Sequence, residues 1–188
     1  FQTFKAENLV TKNSEKANYQ KIFSDKNETQ FEMLKKLELT KEIHIELFNY
    51  SKNKDIKFLS SPFDFESINL LNKLGLEMFK IPSGEINNLP YLRFIGKHNK
   101  KIILSTGMSN LKEILFALNI LKKGGVKKTK IYLLQCNTDY PSPLADANLN
   151  VINLYKKKFK IKVGYSDHTN GIEASTAAVA LGAEIIEK

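Results

Sequence analysis

Short runs of β-branched and other apolar residues recur along the chain, each closing on small polar residues. They are Ile56–Ser61, Met78–Ser83, Lys101–Thr106, Ile131–Cys136, Ile161–Ser166 and Ala183–Glu187. The runs are continuously apolar rather than alternating, which is the pattern of strands covered on both faces of a parallel sheet. Between them lie stretches with helical spacing. Ser67–Leu74 carries Ile68, Leu71 and Leu74 on one face, with Gly75 as a stop. Asn110 reads as the cap of a helix over Leu111–Lys123, whose Ile114, Leu115, Leu118 and Leu121 form a face closed by Gly124-Gly125. Gly171–Leu181 is Ala-rich and ends at Gly182, and Gln30–Leu37 and Lys41–Asn53 complete the set. Strand–helix units of roughly 20 to 30 residues, repeated with crossovers, predict a parallel α/β sheet.

Six strands are visible, and Phe1-Gln2 reads as the tail of a seventh. A (β/α)8 TIM barrel has one more, so the expected fold is a truncated barrel running from the end of strand 2 through strand 8, with parallel strands and outer helices. A doubly wound open sheet is the rival, but no glycine-rich dinucleotide fingerprint follows any of the strands. Both ends of the chain read as internal to elements, so a fragment is expected.

Composition changes this picture little. Of 188 residues, 42% are apolar and 26% charged, which excludes a disordered chain. No window approaches the ~20 apolar residues of a membrane span. The formal net charge of +9 invites a nucleic-acid reading, yet among 29 basic residues only Arg93 is an arginine. Nucleic-acid readers favour the bidentate fork of Arg. The densest runs, Lys156-Lys157-Lys158 and Lys127-Lys128, fall where a solvated helix face or loop is expected. Neither a nucleic-acid nor a membrane partner is therefore expected. The single cysteine, Cys136, excludes an internal disulfide and fits a reducing, cytoplasmic setting.

In either α/β architecture, ligands bind at the carboxyl ends of the strands. There the sequence places Ser60-Ser61-Pro62-Phe63-Asp64, Lys80-Ile81-Pro82-Ser83-Gly84-Glu85, Ser105-Thr106-Gly107-Met108, Cys136-Asn137-Thr138-Asp139-Tyr140-Pro141 and Gly164-Tyr165-Ser166-Asp167-His168-Thr169. Hydroxyls recurring on one rim beside a lysine suit an oxyanion, either phosphate or carboxylate. Lys80 stands inside an apolar run, where a lysine is costly unless paired or used; it is an ion-paired residue, an anion contact or a Schiff-base nucleophile. His168 follows a strand end and suits a metal ligand, a general acid/base or a hydrogen-bonded cap. Glu85 is a candidate general base or a loop residue. His44 and His98 fall in helical stretches and are expected at the surface.

Taken in series, Phe1-Gln2-Thr3-Phe4, Ser61-Pro62-Phe63-Asp64, Lys80 to Glu85, Ile103 to Met108, Gly164 to Thr169 and Ala178 to Ala183 closely resemble the bacterial sialic-acid (nonulosonic acid) synthase family. That family makes N-acetylneuraminate, legionaminate and pseudaminate. Lys35-Lys36-Leu37-Glu38-Leu39 and Ala17-Asn18-Tyr19-Gln20 are more similar to the legionaminate branch. The resemblance implies a barrel that condenses phosphoenolpyruvate with an N-acylated mannose-type sugar and releases phosphate. It further implies a divalent metal, Mn²⁺ or Mg²⁺, and a homodimer in which an antifreeze-like C-terminal domain of one subunit caps the other. By motif position, Lys80, Ser83, Ser105, Ser166, Ser61 and Thr138 would hold phosphoenolpyruvate. Gln2, Phe63, Glu85 and Tyr140 would face the sugar, His168 would bind the metal, and Glu85 and His168 would be the catalytic pair.

Several positions depart from the family pattern. The loop after the Ile131–Cys136 run reads Cys136-Asn137-Thr138-Asp139-Tyr140-Pro141, where the family often has Cys-Thr-Asn or Cys-Thr-Thr before Tyr-Pro. The expected first strand, the second metal histidine (placed by the resemblance just after Lys188) and the capping domain lie outside the 188 residues. The chain by itself is therefore expected neither to turn over nor to bind metal tightly. Rival readings are a Schiff-base lysine aldolase or lyase on the same barrel and a non-catalytic sugar- or phosphate-binding barrel.

Overall fold

The computed structural model describes residues 1–25 and 27–188. It divides into two compact units, Phe1–Leu76 and Glu77–Lys188.

In the first unit, β1 (Gln2–Thr3) is followed by α1 (Ala6–Leu9), α2 (Asn18–Phe23), α3 (Gln30–Leu37) and α4 (Lys41–Asn53), then β2 (Ser61–Pro62) and α5 (Phe65–Lys73). The predicted Gln30–Leu37 and Lys41–Asn53 helices have the predicted bounds because their start signals are local. The Thr29 hydroxyl accepts from Glu32 N–H while the Glu32 carboxylate accepts from Thr29 N–H. Thr40 caps Ile43 in the same manner. At α5 the Asp64 carboxylate accepts from Ser67 N–H at 2.7 Å, and so starts the helix two residues before the predicted Ser67. β1 and β2 pair in parallel, with Gln2 opposite Ser61 and Thr3 opposite Pro62. The expected Ile56–Ser61 strand shrinks to this short pairing, displaced toward its carboxyl end.

His44 is not on the surface: it is fully buried. Its Nδ1 lies 2.7 Å from the Thr40 carbonyl, which can only accept, so Nδ1 carries the proton. Its Nε2 lies 2.8 Å from the Thr3 hydroxyl, which in turn lies 2.7 Å from the Ser60 hydroxyl. This relay ties α4 to the strand pair and explains how a histidine tolerates burial.

The second unit holds β3 (Met78–Ile81), α6 (Leu89–Gly96), β4 (Lys101–Ser105), α7 (Leu111–Lys123), β5 (Ile131–Cys136), α8 (Asn150–Phe159), β6 (Lys162–Ser166), α9 (Glu173–Ala180) and β7 (Ile186–Glu187). α7 and β5 match their predicted bounds. The Asn110 side chain caps Lys112 and Glu113 N–H at 2.9 and 3.1 Å. The sequence put His98 in a helical stretch and Lys156–Lys158 on a helix face or loop but gave no bounds for α6 or α8, which occupy the β3–β4 and β5–β6 intervals. Lys157 and Lys158 ride exposed on α8, while Lys156 is half-buried and donates to the Gly182 carbonyl; Ile152, Tyr155 and Phe159 face inward. His98 is half-buried against the rings of Phe79 and Phe94, at 5.8 and 5.6 Å, and so departs from its expected surface position.

The five strands are all parallel and run β3-β4-β5-β6-β7 in sequential order. A doubly wound sheet reverses its order at a switch point; none occurs in this sheet. Laid flat, the sheet would put β3 and β7 roughly 19 Å apart, four strand spacings. Yet Lys80 on β3 reaches Glu187 on β7 with an N···O distance of 2.7 Å. Side chains of that length cannot cross the flat distance, so the sheet is curled, with its inner face closing on itself.

Strand register decides what lines that inner face. Ser105 lies level with Leu134 and Gly164, and Cys136 level with Ser166 and Glu187. The alternate residues Phe79, Ile102, Leu104 and Leu133 are fully buried beneath the helices. Gly164 is demanded by space: a Cβ there would lie 2.4 Å from the Ile185 carbonyl oxygen and 2.6 Å from Leu134 Cδ2. Among the described residues no helix is long and apolar enough to cross a membrane.

Candidate active site

The carboxyl ends of β3 to β7 converge on one polar cluster. Lys80, only 8% exposed, is held by both oxygens of Glu187, at 2.7 and 2.9 Å. The Ser166 hydroxyl donates to Glu187 at 2.7 Å. Its oxygen is therefore free to accept from His168 Nε2–H at 3.2 Å. Tyr140, half-exposed, stacks on the His168 ring with centroids 4.1 Å apart. His168 Nδ1 is buried, faces the Asn137 backbone and makes no well-formed hydrogen bond.

The electrostatics follow from these neighbours. Burial pushes His168 below its ordinary value and Lys80 adds to that, while the Asn137 backbone and the Glu187 charge pull the other way without prevailing. The imidazole is therefore neutral at neutral pH. Burial alone would raise Glu187, but the Lys80 charge, the hydrogen bonds from Lys80 and Ser166 and the nearby His168 outweigh it, and the carboxyl sits below its usual range.

A second cluster adjoins the first through the Cys136–Ser166 register pair. The Ser83 hydroxyl accepts from Gly107 N–H at 2.9 Å and lies 3.2 Å from Cys136 Sγ. A Cβ on Gly107 would meet Thr138 Cγ2 at 2.8 Å and the Ser83 hydroxyl at 2.9 Å, so only glycine fits between these walls. The Ser105 hydroxyl, inside the curl, is buried with no hydrogen-bond partner. A buried donor left open is costly, on the order of 1–3 kcal/mol, unless a ligand completes it.

Around the clusters stands supporting structure. Thr106 donates to the Leu134 carbonyl at 2.8 Å and touches the Tyr155 hydroxyl at 3.2 Å. Gln135 and Asn137 donate to the Ala147 and Asp146 carbonyls, holding the loop that carries Tyr140. Asp167 turns its carboxylate away from the cluster to accept from Thr169, Ser175 and Lys188. Burial would raise it, but these hydrogen bonds win and hold it at about 2.

Of the predicted site residues, the structure thus brings Lys80, Ser166, His168 and Tyr140 into one network and Ser83 and Thr138 into the adjoining one, with Ser105 on the same inner face. Glu85 does not join either. It lies half-buried in the turn after β3, accepts from Asn88 at 2.7 Å, and is raised by burial against the opposing pull of Asn88. Gln2, Ser61 and Phe63 belong to the first unit. There Gln2 and Ser61 are register partners, Gln2 is exposed, and Phe63 packs edge-on to Phe4. Glu187 is the residue that sequence reasoning missed. The available signal was its place at a strand end, level with Ser166.

The sequence profile of the NeuB family matches residues 1–188. The chain belongs to the NeuB family. It is 56% identical, over its whole length, to the N,N'-diacetyllegionaminic acid synthase of Campylobacter jejuni, of which it covers 56%. It is 44% identical to the synthase of the same name from Legionella pneumophila, covering 53% of that protein. The crystal structure of N-acetylneuraminic acid synthetase from Leptospira borgpetersenii superposes with a TM-score of 0.81 at 35% identity, over 97% of this chain and 63% of that one. This NeuB-family chain thus spans about half the length of the curated relatives it matches.

Among the described residues, no three His, Cys, Asp or Glu side chains gather to hold a metal ion. His168 offers one imidazole nitrogen, and the residues present do not by themselves make a metal site.

Proposed function

We propose that this chain supplies the catalytic barrel of a nonulosonic acid synthase of the legionaminate type, in which phosphoenolpyruvate condenses with an N-acylated mannose-type amino sugar. The observation that carries the reading is the inner-face constellation: a buried lysine, a ring of hydroxyls and one buried hydroxyl still open. A cation ringed by hydroxyl donors suits a small, highly charged anion. Lys80, Ser83, Ser105, Ser166 and Thr138 are its contacts. Tyr140 and Glu85 serve the sugar.

In the proposed reaction, C3 of phosphoenolpyruvate attacks the sugar aldehyde carbon, and the aldehyde oxygen takes up a proton. Water adds to the resulting cationic C2 and loses a proton; the carbon–oxygen bond to phosphate then breaks as the new hydroxyl passes its proton to the departing phosphate, leaving a ketone and inorganic phosphate. Glu85, holding its proton to higher pH than an ordinary glutamate, suits proton delivery. Glu187 lies where a carboxylate faces the anion site, and His168 presents a neutral imidazole beside it. A divalent Mn²⁺ or Mg²⁺ ion belongs to the same proposal: His168 would supply one ligand, and the ion would supply Lewis-acid polarisation of the sugar aldehyde when bound. The complete eight-stranded barrel, its capping domain, the homodimer and the cytoplasmic setting belong to the same proposal, supported by the family relationship.

Phosphate release in the natural protein carrying this chain tests the reading, with phosphoenolpyruvate and each of N-acetylmannosamine, its 6-phosphate and a diacetamido-trideoxy hexose. Release with the last sugar is expected; release with none overturns the reading. The Schiff-base alternative needs Lys80 as a free amine, whereas its ammonium is bound by a carboxylate. A borohydride-trapped adduct on Lys80 would establish that alternative instead.

A further inference from the structure

One exposed residue after β4 is held in a backbone conformation that its side chain disfavours. The turn after β4 is closed by Ser109 N–H to the Thr106 carbonyl at 3.1 Å, and its third residue, Met108, has φ of 60°. That position of a turn favours Gly or Asn, because a Cβ is crowded at positive φ. The other non-glycine residues at positive φ among those described are Asp55, Asn99, Asn148 and Lys160. Asp and Asn tolerate this conformation through their short polar side chains, and Lys160 ends α8. Met108 has neither excuse.

Packing offers no compensation, since Met108 is 85% exposed, the most exposed of the large apolar side chains among the described residues. Its neighbour Gly107 meanwhile forms part of the Ser83–Cys136–Thr138 cluster. The turn thus sets an exposed, flexible, polarisable thioether one residue past Gly107, which lines the Ser83–Cys136–Thr138 cluster, in a backbone conformation that disfavours it. Strain retained without a packing gain points to function.

We propose that Met108 is a specificity-determining residue whose side chain packs against the apolar acyl group of the amino-sugar substrate. This rests on the synthase reading above. A methionine adapts to irregular apolar surface and suits a small acyl methyl, while the adjoining hydroxyls keep the anion.

The test uses the natural protein carrying this chain, with Met108→Gly, Met108→Asn and Met108→Leu, and a sugar series bearing N-formyl, N-acetyl and N-propanoyl groups. The wild-type KM falls as the acyl group lengthens. Met108→Gly and Met108→Asn flatten that series and raise the N-acetyl KM about tenfold. Met108→Leu largely restores it, and the KM for phosphoenolpyruvate changes in none of the three. Thermal unfolding of the Gly and Asn variants occurs at equal or higher temperature, because the positive φ is relieved. If the wild type releases no phosphate with any of these sugars, the synthase reading fails and this inference fails with it. If the wild type is active and the Gly variant keeps the same acyl dependence, or if Gly and Asn both lower the unfolding temperature, the Met108 inference alone is overturned.

Discussion

Among the described residues two lysines are buried, Lys16 in the first unit and Lys80 in the second, and they are satisfied in opposite ways. Lys16, 5% exposed, is wrapped by its own loop: it donates to the Ser24 hydroxyl at 2.8 Å and to the Asp25 carbonyl, and pairs with Glu28 at 3.4 Å. Each partner is within twelve residues along the chain. Lys80 has a partner 107 residues away, Glu187, whose carboxylate is shared with Ser166 and stands partly open to solvent. A lysine enclosed by local oxygen atoms is a staple for a loop. A lysine held by one distant carboxylate at a strand end keeps donors that a ligand can take over. Burial alone therefore does not mark a functional lysine; the origin and number of its partners do.

The largest expected effect falls on Lys80. Lys80→Met removes the cation of the anion site and leaves Glu187 without its counter-charge, so phosphate release in the natural protein falls at least ~1,000-fold. A companion Glu187→Leu recovers thermal stability without restoring turnover, because a matched apolar pair tolerates burial while the anion contact stays lost. Recovery of turnover in the double variant would break the contrast.

Glu85→Gln is the next in size. With its carboxyl raised by burial, Glu85 favours the neutral form in the folded chain. Its contribution to stability is present below the ordinary glutamate range near 4.5 and is lost as pH rises through the raised value. Glutamine is therefore expected to be slightly more stable than glutamate at pH 7, while kcat falls about 100-fold and the alkaline limb of its pH profile flattens. An unchanged pH profile would remove Glu85 from proton transfer.

Lys16→Met sharpens the comparison from the other side. Loss of its buried hydrogen bonds costs about 2 kcal/mol in urea unfolding, with no change in the KM of either substrate. A substrate effect would show that the local staple also serves ligands. Ser105→Ala is the smallest perturbation. Deleting a buried hydroxyl that has no partner leaves unfolding unchanged or slightly stabilised, while the phosphoenolpyruvate KM rises about tenfold.

The same divide between local and distant partners explains how much was legible before the structure. Asn110 announces α7, Thr29 and Thr40 announce α3 and α4, and the apolar run of β5 is bounded as predicted, because caps and periodicity act within a few residues. Short or weakly patterned α1, α2 and α6 carry little such signal, and the lysines of α8 obscure its inward face. Lys80, Ser166, His168 and Tyr140 were readable as candidates from their strand-end positions. Their joining through Glu187 was not, and neither was the withdrawal of Glu85 to Asn88.

By itself, the order of apolar runs and turn residues determined the alternation of parallel strands and helices, and which residues reach the carboxyl ends. Those outcomes depend on local propensity and on the two-residue and 3.6-residue periods. Only the tertiary structure decided that β3 and β7 curl close enough for Lys80 to meet Glu187, that His44 is buried by a relay through Thr3, and that Met108 is held at positive φ. The physical reason is that such contacts depend on register and sheet curvature summed over many residues, which no local stretch of sequence encodes.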